Sequence, residues 1–300
     1  KVNYGLPNDT LPRFITWAGR TEEAIESIMT AIASKPLDVE FVALLQNTQV
    51  DTVSGNTYRG YGIFSQNGTE NATCINKTVE HFSSSKRPVV WVFSGMGSQF
   101  CTMGEDLMKI PIFASAIEKC HNVLATKGMN LKEILTSSDP KTFDNILNAF
   151  VGISAVQIGL TDILRAIGLE PDFIIGHSFG ELGCAYADGC FTAEEMILAS
   201  YSRGMASIET KTIFGSMAAV GLGYTKLKDM VPEDIVIACH NSNDSCTISG
   251  PAESVAKFVT KLKSENYFAK EVACSNIPYH SRYIAEMGPN LLERLNEAIL

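Results

Sequence analysis

The spacing of apolar residues along this 300-residue chain changes character several times, and each change predicts a different kind of structure. Ile25, Ile28, Met29 and Ile32 recur at helical spacing behind Thr21-Glu22-Glu23, and Pro36 ends the run. Short apolar pieces, Glu40 to Leu45 and Arg59 to Phe64, predict strands. Gln66 to Asn76 and Ser83 to Lys86 then supply turn residues and charge, which places the end of a small αβ module near residue 85.

After Pro88 the run Val89-Val-Trp-Val-Phe93 is continuously β-branched and aromatic, the pattern of a strand buried on both faces. A helical stripe of Val156, Leu160, Ile163, Leu164 and Ile167 follows, closed by Gly168 and Pro171, and then a second buried strand, Asp172 to Gly176. Thr192-Ala-Glu-Glu195 has the form of a capping box that opens a further helix. Strand and helix alternate, so a parallel sheet in an α/β domain is the natural solution for residues 86–300. Between about residues 215 and 274 the pattern shifts to short strands (Ser216 to Val220, Ile235 to Cys239, Cys246 to Ser249) around a helix carrying Val255, Phe258, Val259 and Leu262. This predicts a small α+β subdomain inserted in the larger one.

Composition narrows the function. With 45% hydrophobic and 19% charged residues the chain has material for a sizeable core, and a net charge of -9 argues against a broad basic face for nucleic acid or anionic membrane. No run of about 18 consecutive apolar residues appears, so no membrane span is expected. The opening Lys1-Val-Asn-Tyr-Gly-Leu-Pro7 reads as a chain cut from something longer. Eight cysteines lack C-x-x-C pairs and are expected to be reduced, buried thiols, and without an H-E-x-x-H no metal is expected. Sequons at Asn8, Asn67, Asn71, Asn76 and Asn243 are read as chance.

The chemistry concentrates at Gly176-His-Ser-Phe-Gly180, a G-x-S-x-G between a predicted strand and a helix. In that context Ser178 is a candidate nucleophile at a tight turn, and the N–H of Phe179 can face a developing oxyanion; a serine that merely caps a helix is the alternative. Side chains alternate at a strand end, so His177 should point away from Ser178 and serve structure. His280, in the loop-like Ile277-Pro-Tyr-His-Ser281, is the better general base, with His240, His121 and His81 as rivals. Gly95-Met-Gly-Ser-Gln99 has neither the third glycine of a dinucleotide fingerprint nor a Gly-Lys-Ser/Thr, and it serves either as a second oxyanion donor or as a plain turn. Arg203 lies on the capped helix, where it is either solvated or a clamp for a carboxylate.

At these residues the chain resembles the malonyl/acetyl transferase region of type I animal fatty acid synthases. The matching blocks are Phe93-Ser-Gly-Met-Gly-Ser-Gln99, Gly176-His-Ser-Phe-Gly-Glu181, Tyr186-Ala-Asp-Gly-Cys190, Ala238-Cys-His-Asn-Ser242 with Thr247-Ile-Ser-Gly250, and Phe268-Ala-Lys-Glu-Val272 before the His-Ser pair. Residues 11–61 resemble the linker between ketosynthase and transferase, which would make residues 1–85 that linker domain. The resemblance implies an α/β-hydrolase-like large subdomain with a ferredoxin-like small one inserted, preceded by the αβ linker, and a domain that continues past Leu300. It implies Ser178 as nucleophile and His280 as base. Backbone N–H groups of Met96 and Phe179 would form the oxyanion hole, with Arg203 as carboxylate clamp and Gln99 and Tyr279 in the pocket. The implied substrates are malonyl-CoA and acetyl-CoA, with the phosphopantetheine thiol of acyl carrier protein as acceptor and no bound cofactor. The setting would be a cytoplasmic, homodimeric synthase whose other domains are partners. Phe179 and Pro278-Tyr279 depart from the commoner residues at their positions, which bears on extender choice. A polyketide synthase transferase would carry the same motifs; a serine esterase would have no need of Arg203, and a docking module would need none of Ser178, His280 and Arg203.

Overall fold

The computed structural model describes residues 9–49, 53–68, 70–83 and 85–299. Asn8, the sequon threonine Thr69, Ser84, the opening heptapeptide and Leu300 lie outside them. The chain divides into two compact units at Arg87/Pro88.

In the first unit, strand β1 (Arg13–Gly19) is followed by helices α1 (Glu22–Ala33) and α2 (Val39–Asn47) and by strands β2 (Tyr58–Ser65) and β3 (Thr73–His81). The strands form an antiparallel sheet in the order β1-β2-β3. Thr21 caps α1 by accepting from the Ala24 N–H, and Ile25, Met29 and Ile32 pack with Ile15, Trp17 and Phe64 in one core. Two expectations are corrected here. The apolar piece Glu40 to Leu45 is a helix, because Asp38 accepts from the N–H groups of Glu40 and Phe41 and starts α2. Within the polar stretch Gln66 to Asn76, the last four residues begin β3, which carries no fully buried residue and so shows no regular apolar alternation.

The second unit starts with β4 (Val90–Phe93), helices α3 (Pro111–Ala125), α4 (Leu131–Thr136) and α5 (Ile146–Ala166), then β5 (Phe173–Gly176), α6 (Glu181–Ala187) and α7 (Ala193–Glu209). β4 and β5 pair in parallel. Phe113, Ile117, Leu131, Ile158 and Met196 bind α3, α4, α5 and α7 into the main core. Gly159 belongs to this packing: a Cβ there would lie 2.3 Å from the Phe113 ring, so α5 and α3 meet closely only with glycine. α5 is the one described helix long and apolar enough to cross a membrane, and 67% of that stretch is buried inside this unit, as befits a core helix. The predicted capping box is present, with Thr192 Oγ1 accepting from the Glu195 N–H at 3.1 Å and Glu195 returning to the Thr192 N–H at 2.7 Å. Thr192→Ala is expected to lower unfolding stability by about 1 kcal/mol, read as a lower denaturant midpoint at unchanged slope.

Both strands of the parallel pair are buried on one face only, which corrects the two-sided expectation. Trp91 and Phe93 point inward, while Val92 is 72% and Phe173 63% exposed. An unbroken apolar run records strand propensity and does not say which face a helix covers. The cysteines are likewise less buried than expected: all eight are free, but only Cys120, Cys246 and Cys274 are buried, and Cys190 is exposed.

The inserted part runs β6 (Gly215–Val220), α8 (Tyr224–Leu227), β7 (Val236–Ser242), β8 (Ser245–Pro251), α9 (Ala252–Ser264) and β9 (Ala269–Val272). Its antiparallel sheet has the order β7-β8-β6-β9, a ferredoxin-like βαββαβ arrangement. Val255, Phe258, Val259 and Leu262 cover that sheet from one side. After a loop the chain returns to α10 (Met287–Ile299), which packs on α7.

Candidate active site

Glycine makes the turn after β5 possible. A Cβ on Gly180 would lie 2.1 Å from the Phe93 carbonyl oxygen, and one on Gly176 would lie 2.7 Å from the Glu181 nitrogen. Between them Ser178 sits at φ 55, a left-handed conformation rare for a residue with a Cβ, at the start of a 3-10 turn (Ser178–Gly180) that leads into α6. The turn is sharp enough to lift Oγ out of the sheet. From the opposite direction the loop after β9 carries His280, itself at φ 56. Ser178 Oγ and His280 Nε2 are 2.6 Å apart, across 102 residues of sequence. That distance fits a hydroxyl donating to an unprotonated imidazole nitrogen.

The rival histidines are elsewhere. His240 stacks on Tyr224, His81 meets Tyr58 edge-on in the first unit, and His121 lies on α3. His177 Nε2 pairs with Asn241 Oδ1 at 3.0 Å, and Asn241 Nδ2 donates to Thr247 at 3.1 Å. Since Asn241 spends its amide on Thr247, its oxygen must accept, and His177 Nε2 carries the proton. His177 is therefore committed to the inserted sheet.

A cavity of about 180 Å³ joins Ser178 and His280 to Met96, Phe179, Arg203 and Tyr279. The loop after β4 presses on the nucleophile turn: a Cβ on Gly95 would lie 2.7 Å from the His177 oxygen and 3.3 Å from the Phe179 nitrogen. This closeness puts the backbones of Met96 and Phe179 on one wall, as a pair of oxyanion donors requires. Gln99 is not brought to that wall; its Oε1 accepts from the Gly97 N–H at 2.9 Å and shapes the loop. Tyr279 contributes its ring, while its hydroxyl turns away to donate to Ser207 at 2.9 Å.

Arg203 decides the character of the cavity. Its guanidinium lies 5.6 Å above the Phe150 ring and 5.7 Å above Phe179, and those two rings stack at 4.4 Å. Its guanidinium has no hydrogen-bond or ion-pair partner among the described residues, although the residue is partly buried and desolvation pulls its pKa below the usual guanidinium value. A partly desolvated cation that rests on aromatic faces and is otherwise unpaired is well placed to receive an anion brought in by a ligand. Phe150 is the residue that sequence reasoning missed. It stands on α5 among other apolar residues and carries no mark to separate it from core. Asn241, Thr247, Cys239 and Met217 also reach the site or its cavity from the inserted sheet.

His280 titrates below the ordinary imidazole value. Partial burial is the main cause, the positive Arg203 and the neighbouring His177 add to it, and Glu181 opposes it. The ring is thereby neutral, and able to accept a proton, at pH 7.

Residues 90–300 match the family model described as acyl transferase domain. The chain belongs to that family. Among curated relatives, a highly reducing polyketide synthase, lcsB, of Purpureocillium lilacinum is 36% identical over 69% of this chain. Prosolanapyrone synthase of Alternaria solani is 29% identical over 95% of it. The chain spans about a tenth of the length of these relatives, 9% and 11%. Among solved structures, the acyl transferase domain of SpnD, bound to a substituted malonyl group, matches with TM-score 0.76 over 99% of this chain and 73% of that one, at 19% identity. The acyltransferase domain of the polyketide synthase PpsC of Mycobacterium tuberculosis matches with TM-score 0.64 over 70% of this chain and 64% of that one, at 26% identity. The α/β body with its inserted antiparallel sheet has the fold of acyl transferase domains, and the enzyme class is acyl transfer.

Proposed function

We propose that this acyl transferase domain moves malonyl, and also acetyl, groups from CoA to the phosphopantetheine thiol of an acyl carrier protein, as the transferase region of a cytoplasmic, homodimeric fatty acid synthase. Residues 1–85 are read as its ketosynthase–transferase linker. The observation that carries the reading is the partly buried Arg203, without an ion-pair partner among the described residues, in the cavity that holds Ser178 and His280. A carboxylate on the acyl group is the natural partner for that guanidinium.

In this mechanism Ser178 Oγ attacks the thioester carbon while its proton passes to His280 Nε2. The carbonyl oxygen becomes an oxyanion held by the N–H groups of Met96 and Phe179. The C–S bond then breaks, the CoA thiolate takes the proton from His280, and malonyl-Ser178 remains. The carrier thiol repeats the sequence in reverse: its proton goes to His280, its sulfur attacks the ester carbon, and Oγ leaves with the proton returned. The role of Arg203 is to bind the carboxylate through both steps, far enough from the ester carbon to leave it open to attack.

A polyketide synthase transferase is the second reading, favoured by the polyketide synthases among the relatives. Product analysis separates the two. The full-length protein supplied with acetyl-CoA, malonyl-CoA and NADPH should release a saturated fatty acid; release of an oxygenated or unsaturated polyketide would replace the first reading with the second.

The state of His280 sets the pH dependence. A base acts when unprotonated, so acylation of Ser178 should be level near neutrality and fall as pH drops through a value below 6.5. With acetyl-CoA as donor, Arg203→Ala should move that inflection upward, because it removes a cation that holds His280 down. An inflection at or above 6.5 in the unaltered protein would contradict this account.

A further inference from the structure

The segment 274–280, which delivers His280, is held in an unfavourable backbone. Ser275, Asn276 and His280 have φ of 51, 60 and 56, three left-handed residues among seven, and none of them is glycine. Such a run persists only where its surroundings over-determine it. Several anchors are visible. The Tyr279 hydroxyl bonds Ser207 on α7, Ser275 Oγ reaches the Asp144 carbonyl at 3.3 Å, and the Gly215 N–H donates to the Asn276 carbonyl at 2.8 Å.

At Gly215, the first residue of β6, there is a further contact of a different kind. A Cβ there would lie 2.4, 2.6 and 2.6 Å from Cδ, Cβ and Cγ of Pro278. Gly215 and Pro278 are both buried, so no solvent gap can take up the conflict. A long side chain could swing its end away. The Pro278 ring cannot, because its Cδ is bonded to its own backbone nitrogen. Relief has to come from moving the main chain two residues before His280. Gly215 does not have a positive φ, so alanine there is conformationally ordinary and the conflict is purely steric.

We propose that Gly215 is a positioning residue for acyl transfer: its bare Cα seats the Pro278 ring against the end of the inserted sheet and thereby sets the 2.6 Å approach of His280 to Ser178. The inference rests on Ser178 and His280 being the reacting pair. Displacing a base by about 1 Å costs on the order of 100-fold in rate, so the effect is measurable.

The test is single-turnover acylation of Ser178 by malonyl-CoA, followed by mass spectrometry in the full-length protein, for Gly215→Ala, Pro278→Ala and the double variant. Gly215→Ala should acylate at least about 10-fold more slowly while malonyl-CoA binds with unchanged affinity, since Arg203 is untouched. Removing the Pro278 ring removes the conflict, so the double variant should return to the rate of Pro278→Ala alone. If Gly215→Ala fails to fold, the same pairing decides: Pro278→Ala must restore both folding and rate. A Gly215→Ala protein that acylates like the unaltered one, or a double variant no faster than Gly215→Ala, overturns the proposal. Absence of any adduct in the unaltered protein would instead count against Ser178 and His280 as the reacting pair.

Discussion

Ser178→Ala is expected to abolish the covalent acyl-enzyme and to reduce transfer from malonyl-CoA by at least about 10⁴-fold, with the fold unchanged. The residue holds a left-handed φ of 55 between two glycines that cannot be replaced without collision, so the local backbone is built around the turn. Alanine keeps the Cβ and therefore the turn geometry, and it loses only Oγ and the 2.6 Å bond to His280. Mass spectrometry after brief exposure to malonyl-CoA reads the result directly. The unaltered protein should gain one malonyl group on Ser178 and the variant none. An adduct on the variant of the same yield, at Cys239 or elsewhere, would displace Ser178 from its role.

Arg203→Ala should separate two substrates that differ by a carboxylate. Losing the charged partner of a desolvated carboxylate costs about 3 kcal/mol or more, roughly 100-fold, so malonyl transfer should fall by that factor. Acetyl transfer has no carboxylate to lose and should stay within a few-fold. A parallel loss of both would mean that Arg203 supports the Phe150–Phe179 stack and does not clamp the substrate. The same arginine makes a prediction about stability. The guanidinium is partly desolvated on aromatic rings with no ion-pair partner among the described residues, so Arg203→Met, similar in length and uncharged, should raise the melting temperature while malonyl transfer collapses. Substrate should reverse the order, because malonyl-CoA stabilises only the protein that can bind its carboxylate.

The nucleophile turn was legible because its chemistry is local. Gly176, Ser178 and Gly180 lie within five residues, and the steric reasons for glycine at both ends come from the turn itself and from the strand beside it. The same holds for the capping box of Thr192 and Glu195, for the helical stripe of α1 and for the shift in periodicity at the inserted sheet, all of which are short-range patterns. Asp38 is a local signal of the same kind: its side chain caps α2, which makes a helix of an apolar run short enough for a strand.

What the residues could not settle one by one was long-range. His280, and not His240, His121 or His81, meets Ser178 because the fold brings the loop after β9 back onto the end of β5, 102 residues away. Whether Arg203 is solvated or buried depended on Phe150 from α5 and Phe179 from the turn closing beneath it, and neither ring announces that role in sequence. Gln99 shows the reverse, a motif residue whose side chain the fold spends on its own loop. The exposed faces of Val92 and Phe173 were hidden for the same reason, since an apolar run states what a strand prefers but not what covers it. Sequence by itself therefore determined the elements whose signals lie within a few residues, α1, α7 and the inserted sheet among them, and the turn that carries the candidate nucleophile Ser178. Tertiary structure decided which histidine meets Ser178, which side chains line the cavity and where the charge of Arg203 is shielded, because burial and encounter are properties of groups that the chain keeps far apart.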